Sequence, residues 1–404
     1  MSFSEALKHW DATSISTAIE RVTADDVRRA LRSRRPSEAD LMAFLSPAAL
    51  PFLEEMVAKA QGLALRHFGR TVQLFTPLYL ANHCTNQCRY CGFNARNDIE
   101  RVQLTAAQIE QEGKAIASSG LRQLLLLTGD APRVSTVRYI ADAARILRPY
   151  FPSIGVEVYS MDTDEYAELV AAGVESFTMF QETYNPELYA YLHPAGPKRN
   201  FAYRLDAPER ACQGGMRSIG LGALLGLDEW RRDAFFTVMH GSWLLHHYPA
   251  TDISFSVPRM RPHTGEFQPK TVVSDRELVQ IIAAYRLYLP MAGITVSSRE
   301  SAFLRDNLIG LGVTRMSAGV STAVGGHAAA KQSDLDANAA TMAGNEDACT
   351  SVQVSEIIED SSAVAEAGPS QFEISDDRSV DEMVAVIQSR GYQPIFKDWE
   401  PVEA

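Results

Sequence analysis

The sequence predicts an α/β protein, built as a closed (β/α)8 barrel of the TIM type with a helical extension at its N-terminus. Two observations carry this prediction. Apolar runs rich in β-branched residues recur at roughly 73–80, 122–128, 154–159, 175–181, 218–225, 252–259, 293–298 and 313–318. Helical patterns lie between them, and strands that alternate with helices pair in parallel through crossover connections. The 404 residues suffice for such a barrel, which commonly exceeds about 250 residues.

The first 70 residues are predicted to form the helical extension. Thr23, followed by Asp25 and Asp26, is typical of an N-cap with acidic residues in the first turn. A long amphipathic stretch begins at Ser46-Pro47 and ends near Gly69, because proline favours helix starts and glycine favours helix ends.

The barrel is predicted over residues 71–324, with helices at 106–119, 135–147, 164–172, 229–247 and 275–289. Residues 325–370 are rich in Ala, Ser, Asp and Glu and hold almost no aromatic residue, so we predict a long loop or disordered insertion. Order is predicted to resume over 371–404, with a helix near 380–390 and a closing segment at 394–399 that packs on the barrel.

Composition excludes several classes of protein. The formal net charge of −12 argues against a surface that binds nucleic acid or anionic lipid. The first residues, MSFSEALKHWD, lack the apolar core of a secretion signal, and no segment approaches the roughly 20 apolar residues of a membrane helix. We therefore expect a cytoplasmic protein with no membrane or nucleic-acid partner.

The sharpest chemical signal is a cluster of three cysteines, Cys84, Cys88 and Cys91, directly after the first apolar run. The spacing C-x3-C-x2-C lets one loop hold three irons of a cubane iron–sulfur cluster and leaves the fourth iron open to an exogenous ligand. The alternative is a structural zinc site completed by His83. Zinc loops usually pair two C-x2-C units, and the sequence has no second unit.

With Tyr90 before the third cysteine, the motif C-x3-C-x-aromatic-C resembles that of the radical-SAM superfamily. Within it the chain is similar to the tyrosine lyases of thiazole biosynthesis, the 2-iminoacetate synthase family, over about 70–320 and 371–399. The stretches that carry the resemblance are LYLANHCTNQCRYCGFN, LLLLTGD, FQETYNPELYAYLHP, YRLDAPERACQGGMRSIGLGALLGL, FSVPRMRPHTG, VSSRES and PIFKDWE. The insertion after Gly325 is a departure from the family.

The resemblance implies a [4Fe–4S] cluster and S-adenosyl-L-methionine as cofactors and L-tyrosine as substrate. The products would be 2-iminoacetate, for the thiazole of thiamine, and 4-cresol, with methionine and 5′-deoxyadenosine. It also implies a thiazole synthase partner and a flavodoxin or ferredoxin as electron donor. The tryptophan lyases and the hydrogenase-maturation tyrosine lyase remain alternatives. The latter carries extra C-terminal cysteines, whereas this chain has only Cys212 and Cys349 outside the loop. We expect Cys212 to be a small core residue and Cys349 to lie in the insertion.

The resemblance further implies a set of residues that bind the cofactor. Asp130 stands where the family usually has glutamate, and Glu157 is a charged residue inside an apolar run, where it must be paired or functional. The predicted cofactor residues are Tyr90, Gly129, Asp130, Glu157, Arg204 and Arg210.

A free amino acid carries a carboxylate that suits a bidentate arginine, and barrel enzymes place such groups at the C-terminal ends of their strands. Arg299 is the first candidate, with Arg259 and Arg261 as alternatives. The predicted substrate residues are Arg299, Ser298, Ser317, Arg259, Glu182 and Tyr184. His193 and His263 are weaker candidates, since such loop histidines are more often ordinary polar residues.

Overall fold

The structure is a computed structural model and describes residues 2–261, 267–328 and 371–397. Eight parallel strands form a closed barrel, which confirms the predicted fold class. They are β1 (Thr71–Ala81), β2 (Gln123–Thr128), β3 (Ser153–Glu157), β4 (Ser176–Glu182), β5 (Ser218–Ala223), β6 (Asp252–Ser256), β7 (Gly293–Val296) and β8 (Arg315–Ser317). Strand β1 closes the ring because it pairs with both β2 and β8, with Thr76 opposite Leu124 and Gln73 opposite Arg315.

Helices connect the strands on the outside of the barrel and bury their apolar faces against them. They span Ala106–Ala117, Val137–Leu147, Thr163–Ala171, Pro186–Leu192, Phe201–Leu205, Ala207–Gln213, Trp230–His247, Asp275–Tyr288 and Ala302–Leu308. Three of them begin with capping boxes, at Thr105, Asp162 and Ser274, where side chain and backbone exchange hydrogen bonds that the first turn would otherwise leave unmade. The five helices predicted from periodicity are confirmed, with ends that shift by a few residues.

The N-terminal extension contains the helices Phe3–Leu7, Ala12–Glu20, Ala24–Arg32, Glu38–Leu45 and Leu53–Phe68, the last preceded by a 3-10 turn at Pro47–Phe52. Thr23 caps the third helix as predicted, and Gly69 ends the fifth with a φ of 65°. The extension packs on the outside of the barrel. Gln280 fixes it there by donating to the carbonyl oxygens of Phe44 and Ser46, each at 2.8 Å.

The C-terminal part adds a ninth strand to the sheet. After the helix Val380–Ser389, strand β9 (Gln393–Ile395) pairs in parallel with the first residues of β1, Thr71 to Gln73. Strand β1 therefore contacts three strands along its length. The sequence predicts a closing segment here but not its pairing, because three residues carry no readable alternation.

The predicted insertion at 325–370 lies almost wholly outside the described residues, as do Cys349 and His263. Its first residues are described and contact the barrel, because the Glu112 carboxylate accepts hydrogen bonds from the backbone of His327 and Ala328, each at 2.9 Å. In the described part of the chain, no single helix is long and apolar enough to cross a membrane. A pair bent by 79°, Glu38–Leu45 with Pro47–Phe68, meets that requirement only when the two are combined.

Candidate active site

The three cysteines lie on the loop that follows β1, at the C-terminal end of the barrel. We call this loop the cluster loop. All three are free thiols, with Cys88 buried and Cys84 and Cys91 partly exposed. The neighbouring strand end fixes this cluster loop, since the Asp130 carbonyl oxygen accepts from the backbone and hydroxyl of Thr85, both at 2.9 Å. The Asp130 carboxylate accepts from the Asn86 amide at 2.7 Å. Asp130 thus holds the loop in place.

Two glycines let other backbone segments approach the cluster loop. A Cβ atom on Gly129 would lie 2.3 Å from the carbonyl oxygen of His83, and one on Gly196 would lie 2.3 Å from the Asn86 side chain. Gly196 also has a φ of 92°, in the region that favours glycine. No larger residue fits at either position without moving the loop.

The donor set fits an iron–sulfur cluster. Burial and the nearby carboxylate of Asp130 raise the pKa of the Cys84 thiol to about 12, and burial raises that of Cys88 and Cys91 as well. Iron must therefore displace protons from these thiols, as thiolate ligation requires. No three His, Cys, Asp or Glu side chains of the described residues are grouped as for a single metal ion.

A first cavity, the cluster cavity, lies beside Cys91 and Tyr90. Its wall carries Glu182, which forms an ion pair with Lys198 at 2.5 Å and lies 3.6 Å from Arg204. Glu182 sits at a bulge in β4 and is the one non-glycine of the described chain with a positive φ, 71°. A strained residue held by two buried cations is typical of a functional position.

Tyr90 closes another side of this cavity. Its hydroxyl lies 2.6 Å from Nε2 of His193, and its ring lies 5.6 Å from the Lys198 ammonium. Burial, and next to it the charge of Lys198, lowers the pKa of His193 to about 2, so this imidazole is neutral. His193 therefore acts here as a hydrogen-bonding partner of Tyr90.

A second cavity, the inner cavity, lies in the interior of the barrel. Hydroxyl-bearing side chains line much of it, among them Tyr79, Ser298 and Ser317. Glu157 also faces this space, and burial raises its pKa to about 7, against the opposing effect of Arg299. Ser317 accepts a hydrogen bond from the backbone of Ser298, which leaves its own proton available to a ligand.

Arg299 lies in the wall shared by the two cavities. Its guanidinium makes no hydrogen bond or ion pair with a described residue, and its central carbon lies 3.4 Å from the ring centre of Phe372. Burial lowers the pKa of Arg299, while Tyr79, Glu157 and Glu182 act in the opposite direction. A partly buried cation whose donors contact no described residue is suited to binding a carboxylate.

The structure brings most of the predicted residues to these two cavities. The cluster loop, Tyr90, Gly129 and Asp130 lie together, and Glu182 is on the cluster side rather than the predicted substrate side. Glu157, predicted as a cofactor residue, lines the inner cavity together with Ser298 and Ser317.

Three predicted residues are engaged elsewhere. Arg204 donates to the carbonyl oxygen of Phe180, at 2.8 Å, besides approaching Glu182, and Arg210 donates to those of Met161 and Tyr203. Arg259 pairs with Glu300 and lines neither cavity.

The prediction for Tyr184 has to be corrected, because its ring packs outside the barrel. It contacts Phe3 and Phe236, and its hydroxyl lies 3.1 Å from His240. This residue stabilises the attachment of the N-terminal extension.

Sequence reasoning missed Tyr79, Lys198, Gln371 and Phe372, which line one or both cavities. Tyr79 lies inside an apolar run, so the pattern predicts a core residue. Lys198 follows the helix Pro186–Leu192 in a loop with the turn residues Pro194, Gly196 and Pro197, and Gln371 and Phe372 follow the insertion. None of these positions has a periodic signal.

A closed parallel barrel, with a three-cysteine loop after its first strand and a cavity beside that loop, defines a radical-SAM enzyme. Residues 78–238 match the Radical SAM superfamily, and residues 256–393 match the Biotin and Thiamin Synthesis associated domain. The enzyme therefore uses a [4Fe–4S] cluster and S-adenosylmethionine, which Cys84, Cys88 and Cys91 and the adjoining cavity would hold.

The particular family follows from two relatives. The chain is 37% identical over 400 residues to 2-iminoacetate synthase of Escherichia coli (strain K12), covering 99% of this chain and 97% of that one. It is 36% identical to 2-iminoacetate synthase of Salmonella typhimurium, covering 97% and 94%. The chain belongs to the 2-iminoacetate synthase family. Among solved structures, HydG, a maturase of the [FeFe]-hydrogenase, is similar with a TM-score of 0.81 at 26% identity, covering 95% of this chain and 80% of that one.

Proposed function

We propose that this lyase cleaves the Cα–Cβ bond of L-tyrosine to 2-iminoacetate and 4-cresol, and so supplies the thiazole moiety of thiamine. The observation that carries the proposal is the Arg299 guanidinium, which lies between the two cavities and makes no hydrogen bond with a described residue. It provides an amino-acid carboxylate site within a barrel whose loop holds three thiols, and both relatives named above are 2-iminoacetate synthases.

The chemistry that cluster and S-adenosylmethionine supply when bound is a 5′-deoxyadenosyl radical that abstracts hydrogen. The chain's own residues then have separate tasks. Arg299 binds the tyrosine carboxylate, and Ser317 donates a hydrogen bond beside it. Glu157, with its pKa near 7, accepts from the substrate ammonium. The inner cavity shelters the imine product and the organic radical from water.

On the cluster side, Glu182 would accept from the amino group of the cofactor and Lys198 would bind its carboxylate, since both line the cluster cavity. The two side chains are already paired at 2.5 Å, so binding requires little reordering of the cavity. Tyr90 separates this pair from the buried His193. Arg204 holds the carbonyl oxygen of Phe180, next to the strained Glu182, in place.

The test is anaerobic reconstitution with iron and sulfide, followed by incubation with dithionite, S-adenosylmethionine and either L-tyrosine or L-tryptophan. Mass spectrometry should find 5′-deoxyadenosine, 4-cresol and glyoxylate, the hydrolysis product of the imine, with tyrosine alone. If deoxyadenosine forms without cresol, tyrosine is not the substrate, but the protein is still a radical-SAM enzyme.

A hydrogenase-maturation role is less well supported. That activity would need ligands for a second cluster, and the sequence offers only Cys212 and Cys349 outside the loop. Cys212 is partly buried, packs against the core, and has its pKa raised to about 11 by burial.

We also propose that a thiazole synthase takes up the product, because an imine hydrolyses readily and has to pass quickly to the next enzyme. A flavodoxin or ferredoxin would supply the electron, as the family resemblance suggests. The cytoplasm is the expected location, since thiolate ligands persist in a reducing compartment.

A further inference from the structure

The segment that follows the insertion, Gln371 to Arg378, crosses the end of the barrel between the cluster loop and the inner cavity. We call it the clasp. Its first residue contacts both sides. The carbonyl oxygen of Gln371 accepts from the backbone of Gly92, at 3.3 Å, directly after the last cluster cysteine. The Gln371 side chain accepts from the Tyr79 hydroxyl at 3.0 Å, and its amide nitrogen lies 4.0 Å from the sulfur of Cys91.

The clasp is fixed on the opposite side to the strand end that carries the candidate substrate residues. The backbone N–H groups of Ser375 and Asp376 donate to the carbonyl oxygen of Ser298, at 2.9 and 3.1 Å. The buried carboxylate of Asp376 pairs with Arg305 and Arg378. The clasp is therefore hydrogen-bonded at one end to the cluster loop and at the other end to Ser298, which precedes Arg299.

Phe372 forms a wall between the two cavities and lines both of them. Its ring covers one face of the Arg299 guanidinium, at 3.4 Å. Stacking on one face leaves the N–H groups at the edge of the guanidinium free, and a carboxylate binds at this edge. The ring thus fixes the plane in which Arg299 can receive a carboxylate.

We propose that Gln371 and Phe372 are positioning residues that couple substrate binding at Arg299 to the electronic state of the cluster bound by Cys91. The amide of Gln371 donates to the Cys91 sulfur and raises the reduction potential of the cluster, since hydrogen bonds to the sulfurs set that potential. Phe372 transmits the position of Arg299 along the clasp to Gln371. This inference rests on the proposed function only for its substrate, L-tyrosine.

The first test measures the cluster alone, without cofactor or substrate. In Gln371→Leu the side chain can no longer donate to sulfur, so the midpoint potential from an EPR-monitored redox titration should become more negative. Gln371→Glu keeps the oxygen that accepts from Tyr79 but loses the N–H group that donates to the Cys91 sulfur. Its midpoint potential should therefore also become more negative. Gln388→Leu, at an exposed position on the helix Val380–Ser389, is the matched control and should leave the potential unchanged.

The second test measures whether Phe372 couples substrate binding at Arg299 to cleavage of the cofactor. In Phe372→Leu the guanidinium loses its stacking partner, and we expect the KM for tyrosine to rise roughly three- to tenfold, the range that a cation–π contact supplies. The ratio of deoxyadenosine to cresol should also rise, because the cofactor is cleaved without productive substrate. Phe303→Ala, at a residue 78% exposed, is the control.

Two outcomes would overturn the proposal: an unchanged potential in both Gln371 variants at full iron content, or an unchanged KM and product ratio in Phe372→Leu. Failure of the proposed function is distinguishable, because it would appear as an absence of cresol from the unsubstituted enzyme. The potential measurement requires no substrate and stands in either case.

Discussion

In the proposed function, substrate recognition depends on Arg299, because it is a partly buried cation whose donors contact no described protein acceptor. Substitution by Gln should lower kcat/KM for tyrosine by roughly 30- to 1,000-fold, which corresponds to the loss of a buried charge pair. Arg299→Lys should restore only part of it, since an ammonium cannot bind both carboxylate oxygens in the same plane.

The measurement is steady-state formation of 4-cresol, with the iron content of each variant as a check on folding. Arg261→Gln is the comparison, because Arg261 lines only the cluster cavity and lies 3.5 Å from Glu300. If Arg261→Gln lowers kcat/KM as much as Arg299→Gln does, Arg299 is not the carboxylate site.

For single residues, the sequence predicts which polar residues lie at the strand ends, but it does not predict the direction in which their side chains point. The strand-end argument selects Arg299 and Glu182, which line the cavities, but it also selects Arg259 as an alternative and Tyr184, which do not. The bulge at Glu182 explains the error for Tyr184, because one extra residue reverses the alternation of side chains that follows. Arg259 is neutralised by Glu300, and sequence alone does not reveal such a pair.

Among the structural elements, the position of the cluster loop depends on the glycines that contact it as much as on its own cysteines. Gly129→Ala would bring a methyl group to 2.3 Å from the carbonyl oxygen of His83. We expect less iron and sulfide per chain after reconstitution, with circular dichroism unchanged, because the loop moves while the barrel remains. The control is Gly62→Ala in the helix Leu53–Phe68, which has nothing within 4 Å.

Gly62→Ala should load iron normally and increase the free energy of unfolding by about 1 kcal/mol, since alanine favours a helix. Full iron loading of Gly129→Ala would mean that the loop tolerates the displacement. The sequence shows a glycine at 129 but cannot show what approaches it, because that contact joins segments from two different strand ends.

The turn after β4 is held by a buried acid on the helix Trp230–His247. The Asp233 carboxylate accepts from the backbone of Tyr184 at 2.8 Å and from the hydroxyl of Thr183 at 3.1 Å. Burial, with a smaller contribution from Asp228, raises its pKa to about 7, from the ordinary aspartate value of 3.8. Between these two values the folded protein keeps a proton that the unfolded chain has released, so stability falls as pH rises through this window.

Asp233→Asn keeps the accepting oxygen and removes the titration. The Tm of the variant relative to the unsubstituted protein should therefore rise from pH 5 to pH 8, as measured by differential scanning calorimetry. Asp142→Asn, on the exposed face of the helix Val137–Leu147, should leave the pH dependence as it is. Identical slopes for Asp233→Asn and the unsubstituted protein would show that Asp233 is ionised when folded.

For the whole molecule, the sequence predicts the barrel well because eight runs of similar length alternate with helices, and each feature repeats. The clasp and β9 are not predicted, since each is a short segment whose conformation depends on contacts with residues far away in the chain. The division into two cavities is likewise absent from the sequence, because Phe180, Pro258, Arg299 and Phe372 meet only in the closed barrel.

The three partners of β1 have a consequence for the order of events during synthesis. This strand leaves the ribosome early, but its pairing with β8 and β9 must wait for residues 315–317 and 393–395. The cluster loop that follows β1 also becomes ordered late, because its backbone forms hydrogen bonds with Ala195 and with Gln371. At about 5–20 residues per second, the nascent chain exposes three unprotected thiols for many seconds. Oxygen can reach them throughout that interval, so iron delivery is best timed to the moment when the last strand emerges.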